Sequence, residues 1–393
     1  MIEKPVQIDV QPLNVKLKST FRHAGARRNM GDSIWVRARR GKISGYGEGC
    51  PRSYSAGDDL ASSVQWVRET FSTGAIAFDS LDSILGWMEK NEMLIDEFPS
   101  AWCALEMALL DLFSREQSCS VEALLGIKEC QRKGRYSAVL GDDSKGQYSA
   151  MLDQYLVRGF SDFKIKLNGN LERDQEKITI LYDLCEQHGV ADPRIRLDAN
   201  NLWKGRVEDA INQLKALVGD VFAIEEPVGS EDKGGTSRVG IASGLPVILD
   251  ESLCTIRDLG HFKSLPGKFI ANIKVSRVGG IVRALRLVNV LRESDWPVIV
   301  GCHVGETSLL TRAALIPADA AGENLIAQEG AYGDYLVERE PVYPMLKFGH
   351  GGHLDLKLPY SFQTDQGLET VPVENWDRGF GLKCRWPDSS GQW

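Results

Sequence analysis

The sequence predicts an α/β fold: a modified (β/α)8 barrel with an α+β capping domain. Three observations lead there. After about Gly134, eight short β-rich runs alternate with helical stretches. They recur every ~25 to 30 residues, the length that one strand, one helix and two loops require. A strand-rich and then helix-rich segment precedes them, the pattern of an α+β unit. Eight even units favour a closed ring over an open doubly wound sheet.

The chain has 393 residues, 43% hydrophobic and 25% charged, with a net charge of −8. That length supports a substantial core and two or three structural units. The acidic balance argues against nucleic acid as a partner. Eight scattered cysteines form no C-x-x-C or Cys/His cluster, so free thiols in a reducing compartment are expected. The start, MIEKPVQIDV, lacks a signal-peptide apolar stretch, and no apolar run reaches the ~18 residues of a membrane span. A cytoplasmic protein without membrane association is the expectation.

In chain order, Val6, Ile8 and Val10 alternate, as do Val15 and Leu17; 34–38 and 45–48 follow as further strands. Thr20 to Asp32, rich in Arg and Gly, reads as a loop. From about Leu60 to Leu125 the pattern turns helical. Trp102, Leu105, Leu109 and Leu112 recur at helical steps, with Ser100 as a candidate N-cap. The barrel runs are Tyr136–Leu140, Phe163–Leu167, Ile195–Asp198, Phe222–Glu225, Val247–Asp250, Ile270–Val275, Val298–Val300 and Leu325–Gln328. Beyond Gly351 the chain reads as irregular, with Trp376 and Trp386 in a tail expected to return to the cap. The expected units are therefore 1–130 (cap), 131–355 (barrel) and 356–393 (returning segment).

In such a barrel the C-terminal strand ends carry the active site. Here they read Lys164-Ile-Lys166, Asp198-Ala-Asn200, Glu225-Glu226, Asp250-Glu251 and Asn272-Ile-Lys274. A single charge at a strand end is often only a helix N-cap. Five in register are a different matter. Three converging acids repel one another unless a cation sits among them. Oxygen donors favour a hard ion, so Mg2+ is expected, with Mn2+ as the substitute. Residues two apart on a strand share a face, so Lys164 and Lys166 both point inward. A lysine beside another cation is expected to have a depressed pKa and to serve as a base. Lys274, beyond the acids, faces Lys166 across a bound carboxylate. An α-proton is far too weakly acidic for an unaided amine, and the cation must absorb the developing charge.

The order KIK, DAN, EEP, DES, NIK resembles the muconate-lactonising-enzyme subgroup of the enolase superfamily, with its TIM-type barrel, over nearly the whole chain. The resemblance implies Asp198, Glu225 and Asp250 as metal ligands, Lys166 and Lys274 as acid and base, and Lys164 as a partner tuning Lys166. It implies a homo-oligomer and a small-molecule carboxylate substrate. It also implies proton abstraction to an enediolate, by a racemase/epimerase or cycloisomerase. A lyase of the succinylbenzoate-synthase or hydroxy-acid dehydratase kind is the alternative, and a non-catalytic binding relative the remote one. Lys274 on the sixth strand favours this subgroup over the mandelate-racemase pattern of a seventh-strand His. The segments 20–32 and 49–58 match the family's specificity loops. They bring Arg22, His23, Arg52 and Tyr54 toward the substrate, with Arg22 or His23 meeting a second polar group; a solvated basic loop is the plainer reading. Asn200 joins the same mouth. His303 lines the pocket or satisfies a loop hydrogen bond. Glu329 stands where dipeptide epimerases of the family carry Asp-x-Asp, a motif absent here.

Overall fold

In a computed structural model, the structure describes residues 4–23, 26–53, 57–74, 76–128, 134–330, 336–347, 349–354, 360–364, 367–371 and 378–387. A cap of three antiparallel strands, β1 (Gln7–His23), β2 (Ala26–Arg40) and β3 (Ile43–Gly49), comes first. Helices α1 (Leu60–Phe71), α2 (Leu81–Lys90), α3 (Glu92–Glu97), α4 (Pro99–Glu116) and α5 (Val121–Leu124) follow. The segment 20–32, expected as a loop, is mostly strand: β1 continues to His23 and β2 begins at Ala26. Pro12 does not end β1, because β1 is an edge strand where a missing N–H is tolerated.

Helix α4 is buried along nearly its whole length because β3 offers it bare backbone. A Cβ on Gly45, Gly47 or Gly49 would collide with the carbonyl oxygens of Ala108, Ala104 and Ser100 in turn. The period-2 glycines of the strand thus match the four-residue steps of the helix. On the far side, Trp102 stacks on Trp87 at 4.4 Å between ring centroids, within an aromatic layer that includes Trp66 and Phe71. The N-cap of α4 is Phe98 with Pro99 at N1, not Ser100. Ser100 lies inside the helix, where its N–H donates to Asp58.

After β4 (Gly134–Arg135), the barrel strands are β5 (Ala138–Leu140), β6 (Asp162–Lys166), β7 (Arg194–Asp198), β8 (Ala223–Glu225), β9 (Val247–Leu249), β10 (Phe269–Ile273), β11 (Val298–Val300) and β12 (Leu325–Gln328). They form one eight-stranded sheet in sequential order with parallel pairing throughout. The ring closes where Ser137 N donates to the Gln328 carbonyl at 2.9 Å. Strand alternation splits the core in two. Ala223, Ile248, Ile270, Ile299 and Ala327 form a small cluster of their own, while Phe163, Ile165, Leu197, Ile224 and Leu249 belong to the large one. The first set fills the barrel interior and the second faces the outer helices, as the pleat requires.

The domain boundaries expected at 130/131 and 355/356 lie outside the described residues, as does Trp376. The tail, expected to be irregular, holds a hairpin of 360–364 with 367–371. Its last described part meets the cap. Phe380 N donates to Asp111 of α4 at 3.0 Å, Arg115 donates to Leu382 O at 2.8 Å, and the Arg37 guanidinium lies 4.4 Å over the Trp386 ring. All seven described cysteines are free. Among the described residues no helix is long and apolar enough to cross a membrane.

Candidate active site

Register aligns the site. Lys166 pairs with Asp198 across β6 and β7, and Asp198 with Glu225 across β7 and β8. Asp250 follows the end of β9 directly, and Lys274 the end of β10. All five side chains are buried, at 8% relative exposure or less. The amines bind the acids. Lys166 Nζ donates to Asp198 Oδ2 at 2.5 Å and to Asn200 Oδ1 at 2.9 Å. Lys274 Nζ donates to Asp250 Oδ2 at 2.6 Å. Lys164 Nζ donates to Glu225 at 3.1 Å and to Glu329 at 2.7 Å, and lies 3.3 Å from Asp198.

Electrostatics follow from these partners. Burial pushes the Asp198 carboxyl up, but Lys166 and Lys164 outweigh it and bring it to about 2. Burial opposes ionisation of Asp250 too, yet Arg277 and Lys274 hold it well below the usual range. Glu225 goes the other way, to about 7, through burial and the Asp198 charge. Burial lowers Lys164 and Lys274, but Glu225 and Glu329 around the first and Asp250 beside the second hold both above their ordinary value. For Lys164 this is the opposite of the depression expected from the sequence: its neighbouring carboxylates outweigh the neighbouring amine.

The donor set fits a hard divalent ion. It is oxygen-only, it comes from three adjacent strand ends, and Glu225 is destabilised as an anion by the acid next to it, a repulsion that a cation relieves. The surrounding backbone is strained to match. Asn200, Asn201 and Glu226 adopt φ of 45°, 60° and 36°, conformations that cost on the order of 1–3 kcal/mol for bulky residues and cluster at functional sites.

Several supporting residues were given no role by the sequence reading, although Asn272 and Glu226 stand in its strand-end motifs. Arg277, fully buried, clamps Asp250 and donates to Asn272 O. Asn272 Nδ2 donates to Glu225 at 3.0 Å. Arg196 bonds Glu329 at 3.1 Å and Ser137 at 2.7 Å. Glu226 accepts from the backbone N–H groups of Asp250 and Ser252 at 2.7 and 2.8 Å and so fixes the β9 turn. Asn272 and Arg196 each lie two residues before a site residue on the same strand, so face alternation could have found them. Arg277 lies past its strand and gives no such signal.

Of the expected substrate contacts, Asn200 sits at the mouth and holds Lys166. Glu329 is buried against Lys164 and Arg196. His303 is 4% exposed; its Nδ1 lies 3.3 Å from Glu306 Oε1 of its own loop, and among the described residues neither ring nitrogen completes a hydrogen bond. Arg52 is no solvated loop residue: it is buried and donates to the carbonyls of Asp32, Pro51 and Val304. Arg22 and His23 have backbone in β1, paired with Arg27 and Ala26; their side chains, and Tyr54 altogether, lie outside the described residues.

The model of the family described as Enolase C-terminal domain-like matches residues 147–359, just over half of the chain. The chain is 25% identical over 366 residues to a hydrophobic dipeptide epimerase of Enterococcus faecalis, covering 89% of this chain and 98% of that protein. A dipeptide epimerase from Cytophaga hutchinsonii, complexed with Mg and D-Ala-L-Val, superposes with a TM-score of 0.80 at 23% identity, covering 99% and 98% of the two chains. Muconate lactonizing enzyme from Pseudomonas fluorescens, complexed with muconolactone, gives 0.79 at 18% identity, covering 98% and 97%.

Proposed function

Since the chain belongs to the Enolase C-terminal domain-like family, and is an enzyme of the muconate-lactonising-enzyme-like branch of the enolase superfamily, we propose that it is a Mg2+-dependent isomerase that removes a proton α to a substrate carboxylate. The net reaction in this reading is racemisation, epimerisation or cycloisomerisation. The supporting observation is the sheet order. Lys166 stands on β6 and Lys274 just past β10, and the strands bearing Asp198, Glu225 and Asp250 lie between them.

Asp198, Glu225 and Asp250 would hold Mg2+ or Mn2+, which supplies positive charge against the substrate carboxylate as its α-proton leaves. The chain's own residues do the rest. A neutral amine at Lys166 or Lys274 takes the α-proton, and the other lysine, as an ammonium, delivers one from the opposite side. Return to the other face of the same carbon inverts it. In a cycloisomerisation the enediolate of a lactone instead forms a Cα=Cβ double bond as the Cβ–O ring bond breaks and leaves a carboxylate. The reverse closes the ring with a proton delivered to the α-carbon. The bond electrons stay in the substrate as an enediolate, so no oxidant is involved. Asn200 orients Lys166. Glu329 directs its charge to Lys164 and Arg196, which makes it a positioning residue for Lys164 and not a clamp for a substrate ammonium. The residues 20–32 and Tyr54 complete the substrate face in this reading, and the reducing cytoplasm is the compartment that suits its free thiols.

The test is proton exchange in D2O, followed by NMR, on dipeptides, N-acyl amino acids and hydroxy acids. Exchange is expected to stop when a chelator strips divalent ions and to resume with Mg2+. Exchange that persists without divalent ions would sink the proposal. Release of water from a hydroxy acid would move the reading to a lyase.

A further inference from the structure

A second set of donor atoms lies outside the proposed chemistry. Cys50 follows β3 in the cap, and His303 and Glu306 lie in the turn after β11. One ligand atom from each comes within 4.8 Å of the other two. All three residues are buried, at 0%, 4% and 6% exposure. His303 Nδ1 is 3.3 Å from Glu306 Oε1, yet both ring nitrogens lack a hydrogen-bond partner among the described residues. Buried polar atoms almost always have one. Glu306 Oε1 also accepts from the His303 backbone N–H at 2.6 Å, which holds the carboxylate beside the ring, and the Cys50 thiol reaches the same point from the cap.

We propose that Cys50, His303 and Glu306 form a second metal site, one for a thiophilic divalent ion such as Zn2+, separate from the oxygen-only set at the strand ends. The sulfur, nitrogen and oxygen donors match zinc, and three protein ligands leave a fourth position for water. Zinc bonds of ~2.0–2.3 Å put tetrahedral donors roughly 3.3–3.8 Å apart, a spacing that His303 Nδ1 and Glu306 Oε1 already have at 3.3 Å. The charges also balance. Bound as thiolate, neutral imidazole and carboxylate, the trio would carry two negative charges, which cancel the charge of the ion in a buried place. Because Cys50 belongs to the cap and the other two to the barrel, the ion would staple the two. Arg52 already ties the same seam, through its bonds to Asp32 and Val304.

The experiment is a Co2+ titration of the protein in saturating Mg2+. Thiolate-to-cobalt charge-transfer absorption reads the sulfur ligand, and intense visible bands read tetrahedral coordination. The expected result is a thiolate band that saturates near one equivalent, is absent in Cys50→Ser, and needs at least tenfold more Co2+ in His303→Gln and Glu306→Gln. Zn2+ should quench the band and raise Tm. If Cys50→Ser does not fold, the other two variants carry the test. No thiolate band in the wild type, or an undiminished band in the variants, overturns the proposal. The readout is spectroscopic, so either result is independent of the isomerase reading.

Discussion

At the barrel mouth, Asp198 and Asp250 are buried against amines and a guanidinium. At the seam between cap and barrel, Glu48, Glu106 and Glu340 are buried just as deeply, but their partners are backbone N–H groups and hydroxyls. Glu106 of α4 accepts from Ile281 N at 2.5 Å, at the start of α11 (Ile281–Glu293). Glu48 accepts from Thr307 N at 3.0 Å and Glu340 from Ser308 N at 2.7 Å, both at the start of α12 (Ser308–Ala321). The charge states diverge accordingly. Asp198 sits at about 2, whereas burial sends Glu106 and Glu340 to about 8. Asp198 and Asp250 thus stay anionic because ammonium and guanidinium groups bond them directly, whereas Glu106 and Glu340, hydrogen-bonded by N–H groups and hydroxyls, are left for burial to raise.

The sharpest way to break this contrast is at the mouth. Lys166→Met or Lys274→Met should reduce α-proton exchange by about 10²–10⁴-fold with an intact circular-dichroism spectrum. A loss below tenfold in both would remove the amines from the chemistry. The next effect is at the seam. Glu48→Ala leaves Thr307 N, the Thr307 hydroxyl and the Ser33 hydroxyl without their acceptor and should cost about 3 kcal/mol in urea unfolding. Glu48→Gln keeps an acceptor and should cost less than half as much. Equal losses would mean that charge, not capping, matters there.

A smaller effect concerns pH. The folded protein binds the Glu106 proton up to about 8, against an ordinary 4.5, so it holds more protons than the unfolded chain in that window. Stability from this group is complete in acid and falls as pH rises through the window, by at most about 1.4 kcal/mol per pH unit. Glu340 and Glu306 have the same sign. Glu106→Gln should therefore flatten, without abolishing, the decline of Tm from pH 5 to pH 8; an unchanged slope would show that Glu106 stays ionised. The smallest effect is at the tail. Trp386→Leu removes the ring beneath Arg37 and should cost about 0.5–1 kcal/mol, read as a shift in the urea midpoint.

The barrel strands were legible because both of their faces are buried, which makes each a short β-rich run recurring with the period of one βα unit. The same period put Lys164, Lys166, Asp198, Glu225, Asp250 and Lys274 at one mouth. What stayed hidden depends on distant segments meeting. Cys50 and His303 lie far apart in the chain, and no periodicity links them. Glu106 looks like an ordinary polar residue of α4 until α11 starts on it. The β1–β2 hairpin was misjudged because the Arg- and Gly-rich composition of 20–32 reads as a loop, although cross-strand pairing carries both strands through it.

The glycine face of β3 sets a limit on how this protein can diverge. Where a helix rests on peptide groups, no side chain is left to shorten, so every substitution at Gly45, Gly47 or Gly49 can only wedge the two apart. Because α4 also carries Glu106 to the barrel and Asp111 to the tail, such a wedge would misplace three junctions at once. Inheritable change in what the enzyme accepts is thereby steered away from that seat, toward segments whose side chains can be exchanged one at a time.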